Sequence, residues 1–232
     1  MTDMNADLVR HRRLTRQIIS AFDSPIVRAY GRARFTIINA TILDMLSRSL
    51  QGKHRILEIG CGFGLFGSYL AARDPEVRYH GIDLNAKRIE LARSAAARLG
   101  LSNTRFDHGD ARGDLQLDPE YDAVLMMDLL HHVPDPAKHR LIETATSRLA
   151  PGGHLVMKDI GRRPWPKLFF TWALDVAMTG GFDMWYWDEQ RFRDAVPSDW
   201  RLEAYPISDW LPYPHVLYLA SRAPVPPVPP VE

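Results

Sequence analysis

Cysteine is nearly absent from this 232-residue sequence, in which Cys61 is the single example. One cysteine excludes an intramolecular disulfide and is typical of a reducing compartment. The formal net charge is only +1, so the overall charge gives no indication of nucleic-acid binding. The sequence also has no long apolar run, no signal-peptide pattern and no metal-ligand spacing. We therefore expect a cytoplasmic protein without a metal site, a membrane span or a standard secretion signal.

The strongest local pattern is a short apolar strand that leads into a glycine-rich turn. Residues 56–59 form a run typical of a strand covered on both faces, and glycines follow at positions 60, 62 and 64. A helix from about Leu65 to Ala72 would aim its free N–H groups at a ligand beside the turn. The pattern indicates a nucleotide-like ligand, although glycines required only for packing would look the same.

Two registers of these glycines predict different cofactors. Residues 62–67 fit the dinucleotide fingerprint G-x-G-x-x-G, which alone is weak evidence. The other register is Glu58-x-Gly60-x-Gly62-x-Gly64, with an acid on the strand itself. That carboxylate would crowd a pyrophosphate but suits the ammonium group of S-adenosylmethionine, which carries no phosphate. In this register the stretch resembles the first motif of the class I S-adenosylmethionine-dependent methyltransferases.

Acids also follow the next two predicted strands. Asp83 ends the strand at residues 77–82, where a carboxylate can accept both ribose hydroxyls of either cofactor. Asp110 follows the strand at residues 104–108, and the family resemblance gives it the adenine amino group, with the next N–H on a ring nitrogen. The resemblance implies that the cofactor-binding residues are Glu58, Gly60, Cys61, Gly62, Gly64, Asp83, Leu84, Asp110, Ala111, Met127 and Asp128.

The fourth predicted strand, at residues 121–128, leads into Leu-His-His-Val-Pro-Asp and resembles the fourth motif of small-molecule methyltransferases. Another mark of that family is Leu-x-Pro-Gly-Gly-x-Leu, which predicts a tight turn at residues 151–153 before a fifth strand at 154–159. A NAD dehydrogenase has no reason to carry this second pattern. Candidate general bases are His132, His131, Asp128 and Asp159, of which a histidine titrates nearest to neutral pH. Catalysis by positioning alone, without a protein base, is an equal alternative.

Two further segments predict contacts with substrates or partners. Helices are expected at residues 6–22 and 25–50, and residues 10–34 carry seven arginines against the single acid Asp23. This excess is either a solvated basic face or a patch for an acidic carrier protein, an anionic membrane surface or an acidic substrate. Residues 161–187 are rich in aromatic side chains and predict a helix at 166–178, either packed on the sheet or forming an apolar lid. The predicted substrate-binding residues are Tyr30, His131, Trp165, Phe169 and Trp185.

The patterns together predict an α/β fold with a doubly wound, Rossmann-like sheet of seven strands. The sheet is expected to be mostly parallel with an antiparallel last strand, flanked by N-terminal helices and a helical lid after the fifth strand. We expect one domain over residues 1–223, comprising N-terminal helices (1–52), a cofactor-binding core (53–160) and a substrate lid region (161–198), and then a proline-rich tail (224–232).

The resemblance implies an S-adenosylmethionine-dependent methyltransferase that acts on a hydroxyl or carbon of a hydrophobic or aromatic small molecule. A quinone precursor, a polyketide or an aryl-polyene intermediate would suit the aromatic segment, whether free or bound to a carrier. The alternatives are a NAD-dependent oxidoreductase and a non-catalytic scaffold that binds S-adenosylmethionine. We expect no nucleic-acid substrate, a monomer or homodimer, and a location in the cytoplasm or peripheral to the membrane.

Overall fold

Seven strands form one mixed sheet in the computed structural model, which describes residues 2–113, 117, 120–179, 184–208 and 213–222. The strands are β1 (Arg55–Ile59), β2 (Arg78–Asp83), β3 (Thr104–His108), β4 (Tyr121–Met127), β5 (Leu149–Ile160), β6 (Arg201–Pro206) and β7 (His215–Ser221). Their order is β3-β2-β1-β4-β5-β7-β6, and β7 runs antiparallel to both of its neighbours. The predicted seven-stranded sheet with an antiparallel last strand is therefore confirmed.

Eight α-helices are described around these strands. Three precede the sheet: α1 (Thr2–Ser20), α2 (Pro25–Ile37) and α3 (Ala40–Ser49). The others are α4 (Leu65–Arg73), α5 (Ala86–Arg98), α6 (Asp135–Ser147), α7 (Trp165–Thr179) and α8 (Glu189–Ala195). None of the described helices is long and apolar enough to cross a membrane.

The prediction of one continuous helix over residues 25–50 is wrong, because the chain breaks between α2 and α3. Asn39 lies at the break in an extended conformation, and its side-chain oxygen accepts a hydrogen bond from the N–H of Ile42 at 3.2 Å. An asparagine satisfies a helix N-terminus better than it tolerates a helix interior. The apolar periodicity continues across Asn39, so the pattern alone predicts one helix where the structure has two.

The described residues fall into two compact units, with the boundary in the chain between Asp110 and Ala111. In the first unit, β1 contributes the fully buried Ile56 and Leu57 to the core. Helix α4 packs closely through Gly67, where an added Cβ would lie 2.1 Å from ring atoms of Tyr79. The close packing fixes the helix directly after the glycine turn against strand β2.

In the second unit, β5 begins earlier than expected. The predicted turn at residues 151–153 lies inside the strand as a bulge: Tyr121 pairs with Leu149, but Ala123 pairs with His154. Gly152 has a φ of +79°, which favours glycine and lets the extra residues leave the ladder. The helix expected at residues 166–178 is confirmed as α7, which extends one residue further at each end. The predicted proline-rich tail at 224–232 falls outside the described residues.

Candidate functional site

The turn after β1 requires glycine for conformational reasons. Gly60, Gly62 and Gly64 have φ values of +79°, +56° and +68°, which side chains rarely adopt. The N–H groups of Gly60 and Cys61 both donate to the carbonyl of Ile82, at 2.8 and 3.0 Å. Gly64 is also confined by packing, since a Cβ there would lie 2.4 Å from the Phe106 ring. At Gly62 a Cβ would meet no protein atom within 4 Å, so packing does not demand this glycine.

Asp83 connects the end of β2 to this glycine turn. Its Oδ2 accepts a hydrogen bond from the N–H of Gly62 at 2.9 Å, and its Oδ1 accepts one from the N–H of Asn85 at 2.8 Å. The two contacts fix the carboxylate in one orientation beside the turn, and each oxygen keeps a lone pair for a further donor. The neighbouring Leu84 is 63% exposed. The predicted position of Asp83 next to the glycines is thus observed, while its ribose contact stays a prediction.

Glu58 is buried, with 1% of its surface exposed, and its Oε2 accepts a hydrogen bond from the hydroxyl of Tyr79. Burial raises the pKa of Glu58 to about 7, although the Tyr79 hydrogen bond and the charge of Arg34 act in the opposite direction. Burial together with the charges of Glu58 and Asp83 raises the pKa of the Cys61 thiol as well. Cys61 is therefore a buried thiol and not an activated nucleophile.

The other first-unit residues predicted for the site lie around the same turn. Asp110 follows β3 by two residues, and β3 pairs in parallel with β2, so the acids predicted at three strand ends share one edge of the sheet. The Tyr30 ring lies edge-on to Phe63 of the turn, with centroids 5.2 Å apart. The Arg88 guanidinium lies 5.5 Å from the centroid of that same Phe63 ring. Tyr30, a predicted substrate residue, therefore lies against the glycine turn.

In the second unit, Ala111 and Met127 are buried and Asp128 follows the end of β4. Asp128 adopts a φ of +51°, and its Oδ1 forms an ion pair with the fully buried Lys158 of β5. Its N–H donates to the carbonyl of Lys158 at 2.8 Å. These contacts with one residue fix the conformation of the chain as it leaves β4. No sequence motif marks Lys158, which lies thirty residues further along the chain than Asp128.

His131 forms a buried pair with Asp159 at the end of β5. Nδ1 of His131 donates to Oδ1 of Asp159, and the His131 N–H donates to Oδ2 at 3.2 Å. Asp159 also accepts from the N–H of Ile160 at 2.7 Å, so its carboxylate is held by three donors. With Nδ1 as the donor, Nε2 is the ring nitrogen that can accept a proton. His132, next in the chain, is exposed.

The segment at residues 185–187 packs beside this pair. The N–H of Trp185 donates to the carbonyl of His131 at 2.9 Å, and the Tyr186 ring stacks on the His131 ring with centroids 5.8 Å apart. The segment is anchored by Lys138, which is fully buried and donates to the carbonyl of Trp185. Burial lowers the pKa of Lys138, although Asp135, which accepts from its Nζ at 3.2 Å, acts in the opposite direction.

The remaining aromatic residues predicted for substrate binding lie elsewhere in the second unit. Trp165 and Phe169 are on α7 and are 75% and 63% exposed. Their role in substrate binding stays a prediction. Among the described residues, no group of three or more His, Cys, Asp or Glu side chains is placed to hold a metal ion.

Comparisons with known proteins bear on the class of this fold. The magnesium protoporphyrin IX methyltransferase of Synechocystis PCC 6803, solved with bound S-adenosylhomocysteine, superposes with a TM-score of 0.64 at 17% identity, covering 86% of this chain and 88% of that one. The mitomycin 7-O-methyltransferase superposes with a TM-score of 0.68 at 20% identity, covering 92% of this chain and 60% of that one. The chain therefore has the Rossmann-like fold of the class I methyltransferases.

Sequence comparisons identify the domain. Residues 56–153 match the family model of the methyltransferase domain, which runs from the first motif to the Pro-Gly-Gly bulge. A ubiquinone biosynthesis O-methyltransferase of Alkalilimnicola ehrlichii is 33% identical over 135 residues, or 57% of this chain and 53% of that protein. Another from Marinobacter nauticus is 36% identical over 126 residues, or 52% and 50%. The chain spans about half the length of these curated relatives. The match at residues 56–153 agrees with the resemblance of the motifs to the class I S-adenosylmethionine-dependent methyltransferases.

Proposed function

We propose that the protein transfers a methyl group from S-adenosylmethionine to a hydroxyl group of a hydrophobic aromatic small molecule. The observation that carries the proposal is the glycine turn fixed by Asp83, in a domain that matches the methyltransferase family model. These residues fit the cofactor: glycine at position 62 leaves the backbone open to close approach, and Asp83 retains acceptor capacity for ribose hydroxyls. Glu58 lies on β1 beside the turn and would compensate the ammonium charge when ionised.

The bound cofactor supplies a methyl group already activated by its sulfonium, so the reaction is an in-line displacement. The acceptor oxygen attacks the methyl carbon, the carbon–sulfur bond breaks, the sulfonium becomes a thioether and the hydroxyl proton must leave. Holding the reacting atoms close and collinear can supply about 7–11 kcal/mol of the barrier. A protein base contributes further by removing the proton from the acceptor.

We assign the role of base to His131, with Asp159 as its positioning residue. In support of this choice, Asp159 holds Nδ1 of His131 and so directs Nε2 to accept the proton, an arrangement found in many hydrolytic and transfer enzymes. His132, which is exposed where His131 is buried, is the second candidate. The segment of Trp185 and Tyr186, packed against His131, would give the acceptor an aromatic wall.

The acceptor class rests on the relatives and on the chemistry of the aromatic segment. The two curated relatives are O-methyltransferases of ubiquinone biosynthesis, and we propose a quinone-like phenol as the acceptor here. A phenol is acidic enough that its own ionisation reduces the demand on the base. The proposal also includes polyketide phenols and carrier-bound phenols, because they too carry a phenolic hydroxyl on a hydrophobic molecule.

The experiment compares methyl transfer from S-adenosylmethionine to alkyl-substituted phenols and to phenols without the alkyl chain. We expect turnover with the former, and product analysis should show an aryl methyl ether. In Asp159→Asn and His131→Asn, kcat should fall by about 100-fold or more while the affinity for S-adenosylhomocysteine is unchanged. The matched variant His132→Asn should keep the wild-type kcat. A large loss in His132→Asn alone would transfer the role to His132, and unchanged rates in all three would leave positioning as the whole mechanism.

A further inference from the structure

The N-terminal helices form an open groove lined mainly by arginines, with a volume of about 510 Å³. We call it the arginine groove. It is lined by Arg12, Thr15, Arg16 and Ile19 of α1 and by Arg28 and Arg32 of α2. Its size lies within the roughly 300–1,000 Å³ of small-molecule sites. All residues that line the groove belong to the first unit.

The placement of the four guanidinium groups follows from the spacing and packing of the two helices. Arg12 and Arg16 are four residues apart on α1, and Arg28 and Arg32 are four apart on α2, so each pair occupies one helix face. The helices approach closely where Gly31 meets Ile19, since a Cβ on Gly31 would lie 3.3 Å from Cγ1 of Ile19. The two arginine pairs therefore line opposite sides of the same groove.

The acidic side chains that the structure describes do not neutralise this groove. Within the described part of the chain, none of its four arginines forms an ion pair with a carboxylate, and Arg28 donates only to the carbonyl of Phe22, at 3.5 Å. Asp23, five residues before Arg28, is paired with Arg98 instead. Like charges four residues apart on a helix repel each other. The groove thus keeps an unfavourable concentration of positive charge that a bound anion would relieve.

We propose that the arginine groove binds a soluble small molecule that carries a diphosphate or a phosphate ester. Guanidinium groups form paired hydrogen bonds to phosphate oxygens, and several of them on facing helices suit a ligand with more than two anionic oxygens. Most of the exposed lining of the groove is apolar and includes Ile19, so an organic phosphate would gain contacts in addition to those that a free diphosphate makes with the guanidinium groups. Its concave form favours a ligand that enters the groove over a flat anionic surface. This site goes beyond the methyl-transfer function and does not depend on it.

Calorimetric titration of the full chain with inorganic pyrophosphate tests the proposal. The double variant Arg16→Gln/Arg32→Gln removes one charge from each side of the groove. The matched control Arg13→Gln/Arg140→Gln removes the same total charge from exposed positions that do not line it. We expect binding to the wild type and to the control, and a loss of about 100-fold in the groove variant, since each arginine contributes about tenfold or more. Without pyrophosphate, the groove variant should melt at a higher temperature than the wild type, because like-charge repulsion is relieved.

Two further measurements complete the test. The groove variant should bind S-adenosylhomocysteine as the wild type does, which shows that it is folded and separates this proposal from the proposed function. Vesicles rich in anionic phospholipid form a second arm of the experiment. Equal losses in the two double variants, no binding of pyrophosphate by the wild type, or binding to vesicles without binding of pyrophosphate would each overturn the proposal.

Discussion

Replacing Glu58 with glutamine should stabilise the folded protein at alkaline pH. Burial raises the pKa of Glu58 from 4.5 to about 7, so the folded protein keeps this proton over a pH range in which the unfolded chain has lost it. The stability associated with the proton is fully present below pH 4.5 and is lost as the pH rises through about 7. Above that pH, ionised Glu58 is a buried charge beside Tyr79, and glutamine removes it while it still accepts the Tyr79 hydrogen bond.

The magnitude follows from the two pKa values. The interval from 4.5 to about 7 corresponds to about 3 kcal/mol, at about 1.4 kcal/mol per pH unit. For a chain of this length, that free energy raises Tm by about 6–12 °C. The same substitution should weaken binding of S-adenosylhomocysteine by about tenfold at pH 8, because the ammonium loses its charged partner. A gain in stability paired with a loss of affinity is the expected sign of a residue kept for function.

Thermal and urea unfolding of the wild type and Glu58→Gln between pH 4.5 and pH 9 would measure this effect. The difference in unfolding free energy should be small at the acidic end and grow through neutral pH. Glu90→Gln, at an exposed position on α5, is the matched control and should follow the wild type at every pH. A difference between Glu58→Gln and the wild type that stays constant with pH would refute the assignment of a raised pKa to Glu58.

Other predictions concern the glycine turn and its supports. Gly67→Ala should lower the unfolding free energy by about 1–3 kcal/mol, because its Cβ would lie 2.1 Å from the Tyr79 ring; an unchanged urea midpoint would contradict this. Asp83→Ala should weaken S-adenosylhomocysteine binding by about 2–3 kcal/mol, because the ribose hydroxyls and the Gly62 N–H lose their acceptor. A calorimetric Kd equal to that of the wild type would argue against the ribose contact. The Cys61 thiol, whose pKa burial raises, should react with a thiol reagent only after unfolding, and rapid reaction in the native protein would show that it is accessible.

Sequence patterns predicted the elements whose signals are local. A buried strand, a glycine turn and a helix follow each other within twenty residues, so β1, the turn and α4 could be assigned with their ends nearly correct. The acids at strand ends could be predicted because the carboxyl ends of parallel strands meet at one edge of a sheet. Asn39 was missed as a helix N-cap because the apolar period continues across it.

Contacts between distant parts of the chain could not be predicted in the same way. The Tyr79 hydroxyl reaches Glu58 from the neighbouring strand, and Asp159 reaches His131 from 28 residues away. Neither pair has a spacing that marks it in the sequence. The arginine excess of the first helices was visible, but which arginines face one groove depends on how α1 and α2 pack at Gly31.

The measurement that tests the central claim most directly is calorimetric titration of the purified protein with S-adenosylhomocysteine and, in parallel, with NADH. The account predicts micromolar binding of S-adenosylhomocysteine and no binding of NADH, since Glu58 and Asp83 flank a turn suited to a ligand without phosphates. Binding of NADH alone would contradict the register assigned to the glycines. Binding of neither would contradict the proposal that the methyltransferase domain at residues 56–153 holds its cofactor in this protein.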